Sequence, residues 1–307
     1  MASQDLIKFH FECRYRDNEL LRDDAFNEVQ KKFSKNYFLE LETLNDPSIL
    51  AFVGITKSDR KNGPQYVCYF DYQIKSLSAQ NWVQEKLTNF LSKYRDVFVE
   101  VFVEYKPLID FFNNKNFKVR RIYTVSSANE MIKGFNTHFP SLPKIPDGLK
   151  IRKLNSSDIP SALKLLKDEF GKNPQHGPND EAFINNLKKM IEDDLLQTNH
   201  SQYAIIDSQG TFLGHFAAFL EDHPIWQKAA GFHFMLHESI QKKNLLPFMY
   251  SIIFNDIENQ GIKTVTGSTT HVAVLKNFSK LNRRPFLYSF VQDNSLLGLE
   301  HFTPYIK

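Results

Sequence analysis

Cysteine is nearly absent: two in 307 residues, Cys13 and Cys68. That count does not staple a disulfide scaffold, and it makes a cytoplasmic setting the expectation. No apolar run approaches the roughly 20 residues of a membrane span, and the opening MASQDLIKFHFECRYRD lacks the long apolar segment of a secretory signal. Neither G-x-G-x-x-G nor a Walker A loop occurs, so nucleotide phosphate binding by those routes has no support. The histidines match no zinc spacing such as H-E-x-x-H and there is no cysteine cluster, so no metal is expected. A surplus of one charge is also missing. The net charge of +3 comes with scattered basic residues, which argues against a nucleic-acid surface.

What is present is apolar and aromatic. Apolar residues make up 42% of the chain, charged residues 24%, and there are 28 phenylalanines, enough for two solid cores in a soluble protein. The length suggests about two domains. The boundary falls in HFPSLPKIPDGLK (138–150), where three prolines and a glycine break helix and strand alike. The expected domains are 1–137 and 148–307, joined by a Pro-rich linker at 138–147.

The two parts echo one another. PLIDFFNNKNFKVRRIYTV (107–125) and VAVLKNFSKLNRRPFLYSFV (272–291) share one plan. Each is a short amphipathic helix, a break at an Asn, a basic pair and an apolar strand. A repeat about 165 residues apart means a duplicated domain rather than a solenoid. The second part reads β-α-α-β-β-β-α-β-α-β. Its helix SSDIPSALKLLKDEF takes Ser157 or Asp158 as N-cap. The helix DEAFINNLKKMIEDDLLQ aligns Phe183, Ile184, Leu187, Met190, Ile191 and Leu195 on one face. DSQG (207–210) is a hairpin turn, and a further helix starts near Pro247 and stops at Gly261. The first part reads strand, strand, helix, strand, helix, strand from residue 49 to 125, matching the later part of the second. Before it lies an amphipathic helix around Leu20–Phe33.

This element order resembles the GNAT N-acetyltransferase superfamily. The family's late motif, N-x-x-A-[IL]-x-L-Y-x-x-x-G-F, is matched loosely by His271 to Arg283 and by Tyr105 to Phe117, with Asn282 and Asn116 in the Gly place. Asn suits such a break because it tolerates left-handed backbone. The resemblance covers most of 150–291 and roughly 49–125. It implies an α/β (α+β) chain of two tandem GNAT-like domains, each a mixed twisted sheet flanked by helices.

The resemblance also implies a site. Family members bind the pyrophosphate of acetyl-CoA on a loop of form [RQ]-x-x-G-x-[GA] at a helix N-terminus, where free amides and the helix dipole favour phosphate. The matching segment is Gln241, Lys242, Lys243, Asn244, Leu245 and Leu246, followed by Pro247. Leu246 stands where a small residue is usual, and Pro247 removes one donor. A bound anion accounts for Lys242 and Lys243 at a helix start; an ordinary solvated turn accounts for them too. Leu236, His237 and Phe278 complete the set the resemblance assigns to the cofactor. In the first part the matching loop, near Lys75 to Gln80, has no Gly and reads as structural.

The catalytic side departs from the family. Its general acid is a Tyr in the last helix; here the matching positions are Phe112 and Phe278, and Phe has no proton to give. Replacements are sought in His271, which takes the family's Asn position, and in the Tyr288 hydroxyl on the last strand. His233 and His237 alternate with apolar residues in GFHFMLHE and are expected on one sheet face, with Glu221 and His223 closing the strand before. A His near neutral pKa suits an ammonium acceptor.

The expected function is acyl transfer from an acyl-CoA co-substrate, acetyl-CoA first, to a small-molecule or protein amine, with the second domain holding the donor. The alternative is a binding or regulatory module without catalysis. A third reading, transfer from aminoacyl-tRNA, needs a basic channel that the mild charge does not supply. Acyl conjugation of small amines, as in glycine N-acyltransferases, stays open.

Overall fold

A computed structural model describes residues 3–15, 18–33, 37–45, 48–60, 63–94, 97–142, 144–171, 181–197, 199–221, 223–269 and 280–291. The first part contains α1 (Gln4–Tyr15), α2 (Ala25–Phe33), β1 (Glu40–Leu44), β2 (Ala51–Arg60), β3 (Gly63–Tyr72), α3 (Leu77–Lys93), β4 (Val97–Phe102), α4 (Lys106–Asn114), β5 (Lys118–Ser127) and α5 (Ala128–His138). The second contains β6 (Leu149–Lys153), α6 (Ile159–Gly171), α7 (Glu181–Leu195), β7 (Ser201–Asp207), β8 (Phe212–Glu221), β9 (Ala229–Leu236), α8 (Glu238–Gln241), α9 (Leu246–Asn259), β10 (Thr264–Thr269) and β11 (Pro285–Val291). No described helix is long and apolar enough to cross a membrane.

All the described strands join one mixed sheet of eleven, in the order β1-β2-β3-β4-β11-β5-β10-β9-β8-β7-β6. Among the described strands only β3/β4 and β9/β10 pair in parallel. The centre of the order carries the architecture. Strand β11 of the second part lies between β4 and β5 of the first, antiparallel to both. Strand β5 of the first part lies between β10 and β11 of the second. The two parts thus exchange their last strands.

The cores follow the exchange. One cluster buries Val83 and Leu87 of α3 with Val99 of β4 and Phe112 of α4, and β11 adds Leu287, Tyr288 and Phe290. The other buries Met249 and Ile253 of α9 with Ala230 and Val265, and α5 of the first part adds Ala128, Met131 and Phe135. A third cluster packs α6 and α7 on the opposite face of β7 and β8. The first two of these cores therefore each hold side chains from both parts.

The tight breaks are at asparagines. Among the described residues every non-glycine with positive φ is Asn: Asn45 (57°), Asn116 (60°), Asn244 (52°) and Asn282 (49°). Asn116 and Asn282 are the Gly stand-ins of the repeated unit, and both adopt the left-handed backbone that position requires.

Three local expectations are corrected. The helix expected around Leu20–Phe33 starts only at Ala25, because Leu21 forms a β-bridge with Trp226 of the second part. The turn leading into α6 is capped by Asn155 rather than by Ser157 or Asp158. The Asp158 carboxylate instead accepts from Asn155 N–H and pairs with Arg152. Met190, expected on the buried face of α7, is 43% exposed; Leu187 and Ile191 supply that face.

Candidate functional site

Each parallel pair parts after three residues. Strands β9 and β10 are paired at Ala229–Thr264, Ala230–Val265 and Gly231–Thr266. Beyond that, Phe232–Leu236 and Gly267–Thr269 run on without pairing to one another. Strands β3 and β4 are paired only as far as Cys68–Val99. The sheet thus forks twice, once in each part. A fork leaves backbone amides on its inner edges that need partners.

The first fork is filled from within. Tyr105 is fully buried. Its hydroxyl accepts from Tyr72 N–H at 3.4 Å and donates to Asp71 Oδ1 at 3.1 Å, and its ring stacks on Tyr72 with centroids 4.5 Å apart. Asp71 is buried and also meets Arg14 Nε at 2.8 Å and His10 Nδ1 at 2.5 Å. Burial alone would push its carboxyl pKa up, but Arg14 and then His10 outweigh this and hold it below its usual range. Arg14 also donates to Phe70 O at 3.0 Å. Helix α1 thereby places the Arg14 guanidinium and the His10 imidazole under β3, and Tyr105 closes the gap.

The second fork opens onto a loop and a helix start. After β9, Leu236 O accepts from the Gln241 side-chain amide at 2.9 Å. His237 caps α8, its Nδ1 accepting from Ser239 N–H at 3.3 Å. Gln241 to Asn244 are exposed. Asn244 reverses the chain with its positive φ, and α9 begins at Leu246 with Pro247 in its first turn. Leu245 is buried and Leu246 is partly buried against the second core, so their side chains turn inward. The aromatic wall under α9 is Phe232, Phe234 and Tyr250, with Phe234 and Tyr250 centroids 5.0 Å apart.

No protein-family model matches the chain, and no curated protein matches it in sequence. Solved structures do match. A GCN5-related N-acetyltransferase from Sphaerobacter thermophilus superposes with a TM-score of 0.53 at 10% identity, over 88% of this chain and 85% of that one. A GCN5-related glucosamine N-acetyltransferase region of a fungal multi-domain GH3 beta-N-acetylglucosaminidase superposes with a TM-score of 0.50 at 9% identity, over 93% of this chain and 36% of that one. The chain has the GNAT fold. At these identities the likeness concerns the fold alone.

Within the GNAT fold the expected site residues divide. Leu236, His237, Gln241, Lys242, Lys243 and Asn244 come together along the second fork, the loop and the start of α9. His271 and Phe278 lie outside the described residues. Tyr288 lies elsewhere. It is 2% exposed, sits in β11 opposite Val101 and Ile122, and joins the core of the first part. Burial raises its hydroxyl pKa to about 12. Phe112, the first copy's match for the family Tyr, is buried and stacks on Phe290 at 5.4 Å. His233 and His237 do not share a face. His233 packs against His215 at 5.2 Å between ring centroids, while His237 has left the strand to cap α8.

Two residues near the fork were not singled out for these places by sequence reasoning. Arg283 is buried. Its Nε donates to Thr124 Oγ1 at 2.9 Å, and its guanidinium passes where a Cβ on Gly267 would stand. Glu221 accepts from Thr266 Oγ1 at 2.5 Å and occupies the space beside Gly231. The signal for both was a lone glycine inside a strand, which marks close approach of another group.

Proposed function

We propose that the chain is an acyl-CoA-dependent N-acyltransferase, with acetyl-CoA the first donor to try and an amine as acceptor. Residues 1–137 and 148–307 are its two copies, joined by 138–147. The observation that carries this reading is the second fork, open between β9 and β10 and facing the N-terminus of α9. An extended donor finds a strand edge at Phe232–Leu236 that is paired, among the described residues, on its β8 side alone, as added strands do elsewhere. Its diphosphate finds Lys242, Lys243 and the first-turn amides of α9. Pro247 gives no donor, but Leu245 and Leu246 turn inward onto the second core. When bound, the donor supplies the activated acyl group.

Gln241 braces the loop against Leu236, and Asn244 aims the chain into α9. His271 is retained as a candidate group at the acyl end, and Phe278 and His237 as walls of the donor channel. Tyr288 is a poor proton donor where burial places it. The first copy, filled by Tyr105 and Asp71, acts as a non-catalytic partner.

Calorimetric titration with acetyl-CoA tests the reading, with the Lys242→Ala/Lys243→Ala double variant beside the parent chain. Two exposed charges near a phosphate are worth about 1–2 kcal/mol together, so binding weakens by about tenfold. No binding by the parent chain at millimolar acetyl-CoA would contradict the proposal.

A further inference from the structure

A cavity of about 960 Å3 lies below the vertex of the second fork, lined by Leu220, Glu221, Trp226, Ala229 and Ile262 of the second part and by Asp23 of the first. The segment before α2 is fastened across it. Arg22 N–H donates to Ile225 O at 3.0 Å, Gln227 N–H to Leu20 O at 2.9 Å, and the Gln227 side chain to Leu21 O at 2.7 Å. The N-terminal segment of one copy thus forms a wall of the cavity in the other.

Glu221 stands where cavity and fork meet. Gly231 and Thr266 are the last residues paired before β9 and β10 part. The carboxylate lies beside Gly231 and is held by the Thr266 hydroxyl. A β-carbon on residue 231 would collide with it, so glycine makes the room. The other charged groups of the cavity are Arg22, Asp23, Asp24, Lys228 and Lys263, with His223 close by in sequence. Arg22 is paired with Asp24 at 2.9 and 3.1 Å.

The first copy provides an internal comparison. Cys68–Val99 corresponds to Ala230–Val265, each pair facing its own core. The same register sets Tyr69 against Gly231, Glu100 against Thr266, and Thr56 against Glu221. The place left open by Gly231 is filled in the first copy by Tyr69, whose ring packs on Tyr37 and Phe38. The copy whose fork is plugged is closed here too. The copy whose fork is open keeps a carboxylate beside a cavity.

We infer that this cavity is the acceptor site for a primary amine on an apolar stem, and that Glu221 takes the proton from its ammonium group. The inference rests on the donor reading of the fork. Trp226, Leu220 and Ile262 offer the apolar stem a surface, and the carboxylate offers the ammonium a partner. Burial, partly offset by Thr266, raises the Glu221 pKa, which suits a base working near neutral pH. Glu221 accepts one proton from R–NH3+. The freed lone pair forms the N–C bond to the acyl carbon, and the C–S electron pair leaves with sulfur. The second nitrogen proton passes to the thiolate, and Glu221 returns its own to water. Amine and acyl-CoA thus give amide, CoA thiol and one proton.

The test begins without donor. The chain has two tryptophans, so Trp82→Phe leaves Trp226 as the only reporter. Hexylamine is expected to change its emission saturably, hexanol not, and Glu221→Gln is expected to weaken the hexylamine response at least tenfold. Glu221→Asp should restore part of it. With acetyl-CoA, Glu221→Gln should bind donor within twofold of the parent by calorimetry, which also shows that it folds, and transfer to hexylamine about 100-fold more slowly. Its rate should lose the acidic limb of the parent's pH profile. Equal responses to amine and alcohol, or an unchanged rate and pH profile in Glu221→Gln, would overturn the inference. Donor binding by the parent with no transfer to hexylamine would also overturn it. Failure of the parent to bind acetyl-CoA removes the donor reading instead, and the fluorescence titration still decides whether the cavity takes amines.

Discussion

At the scale of single residues, the asparagines mark what the two copies share and Tyr105 what separates them. Asn116 and Asn282 hold the same left-handed backbone at the same point of the repeat. A β-branched residue there meets the steric cost of that conformation, about 1–2 kcal/mol. Asn116→Val is therefore expected to lower stability by that amount and Asn116→Gly to leave it nearly unchanged, as read by urea unfolding. Tyr105→Phe removes a donor to buried Asp71 and an acceptor for the Tyr72 amide. Leaving such groups unmet costs about 1–3 kcal/mol. The loss should appear in unfolding and leave acetyl-CoA affinity unchanged; a matching loss of affinity would mean that the first fork takes part in binding. The asparagines were legible because one residue type answers one backbone need. The Tyr105 network was not, because its members lie 33 to 95 positions away, as in the pairing of His10 with Asp71 across 61 positions.

At the scale of elements, strands β8 and β9 carry an imidazole pair beneath α6, His215 buried and His233 half-buried. Gln202 spends its amide on Ile191 O and Asp194 at 3.0 and 2.8 Å, which leaves its carbonyl oxygen to accept from His215 Nε2 at 3.2 Å. Burial holds His215 well below the ordinary histidine pKa, with His233 adding to it, and burial lowers His233 as well. The unfolded chain therefore binds more protons below about pH 6.5. This contribution to stability is complete above that pH and is lost as pH falls through the lowered values. The melting temperature should drop between pH 6.5 and 5, and His215→Gln should flatten that slope. An unchanged slope would place the acid sensitivity elsewhere.

Elements with a strong period, such as α3, α4 and α9, were readable in outline, and so was the start of α9 at its proline. Helix α5 was missed because Gly134 sits inside it. The bare Cα is needed where α5 packs on the Asn282 turn: a Cβ there would lie 2.9 Å from Lys280 O. Helix α1 was missed because its buried face includes His10 and Arg14, so polar residues stand where an apolar stripe was sought.

At the scale of the whole molecule, the exchange of β5 and β11 makes the copies interdependent. Residues 1–137 alone would lack the strand between β4 and β5 and the Leu287, Tyr288 and Phe290 side chains of their core. Residues 148–307 alone would lack β5 and the α5 face on α9. Each fragment is expected to be insoluble or molten when expressed singly and to reassemble on co-expression, checked by gel filtration and near-UV circular dichroism. A folded, monomeric 148–307 fragment would contradict the interdependence. The duplication was visible in the sequence, but the exchange was not. A strand's apolar alternation reports its two faces and not which neighbours flank it.

The central claim is that the second fork, and not the first, receives the acyl donor. Amide hydrogen exchange with and without acetyl-CoA addresses it directly, because both forks are followed in one sample. Added protection is predicted at Phe232–Leu236 and in the first turn of α9, with none at Tyr69–Tyr72. Protection at Tyr69–Tyr72, or at neither fork under saturating acetyl-CoA, would contradict it.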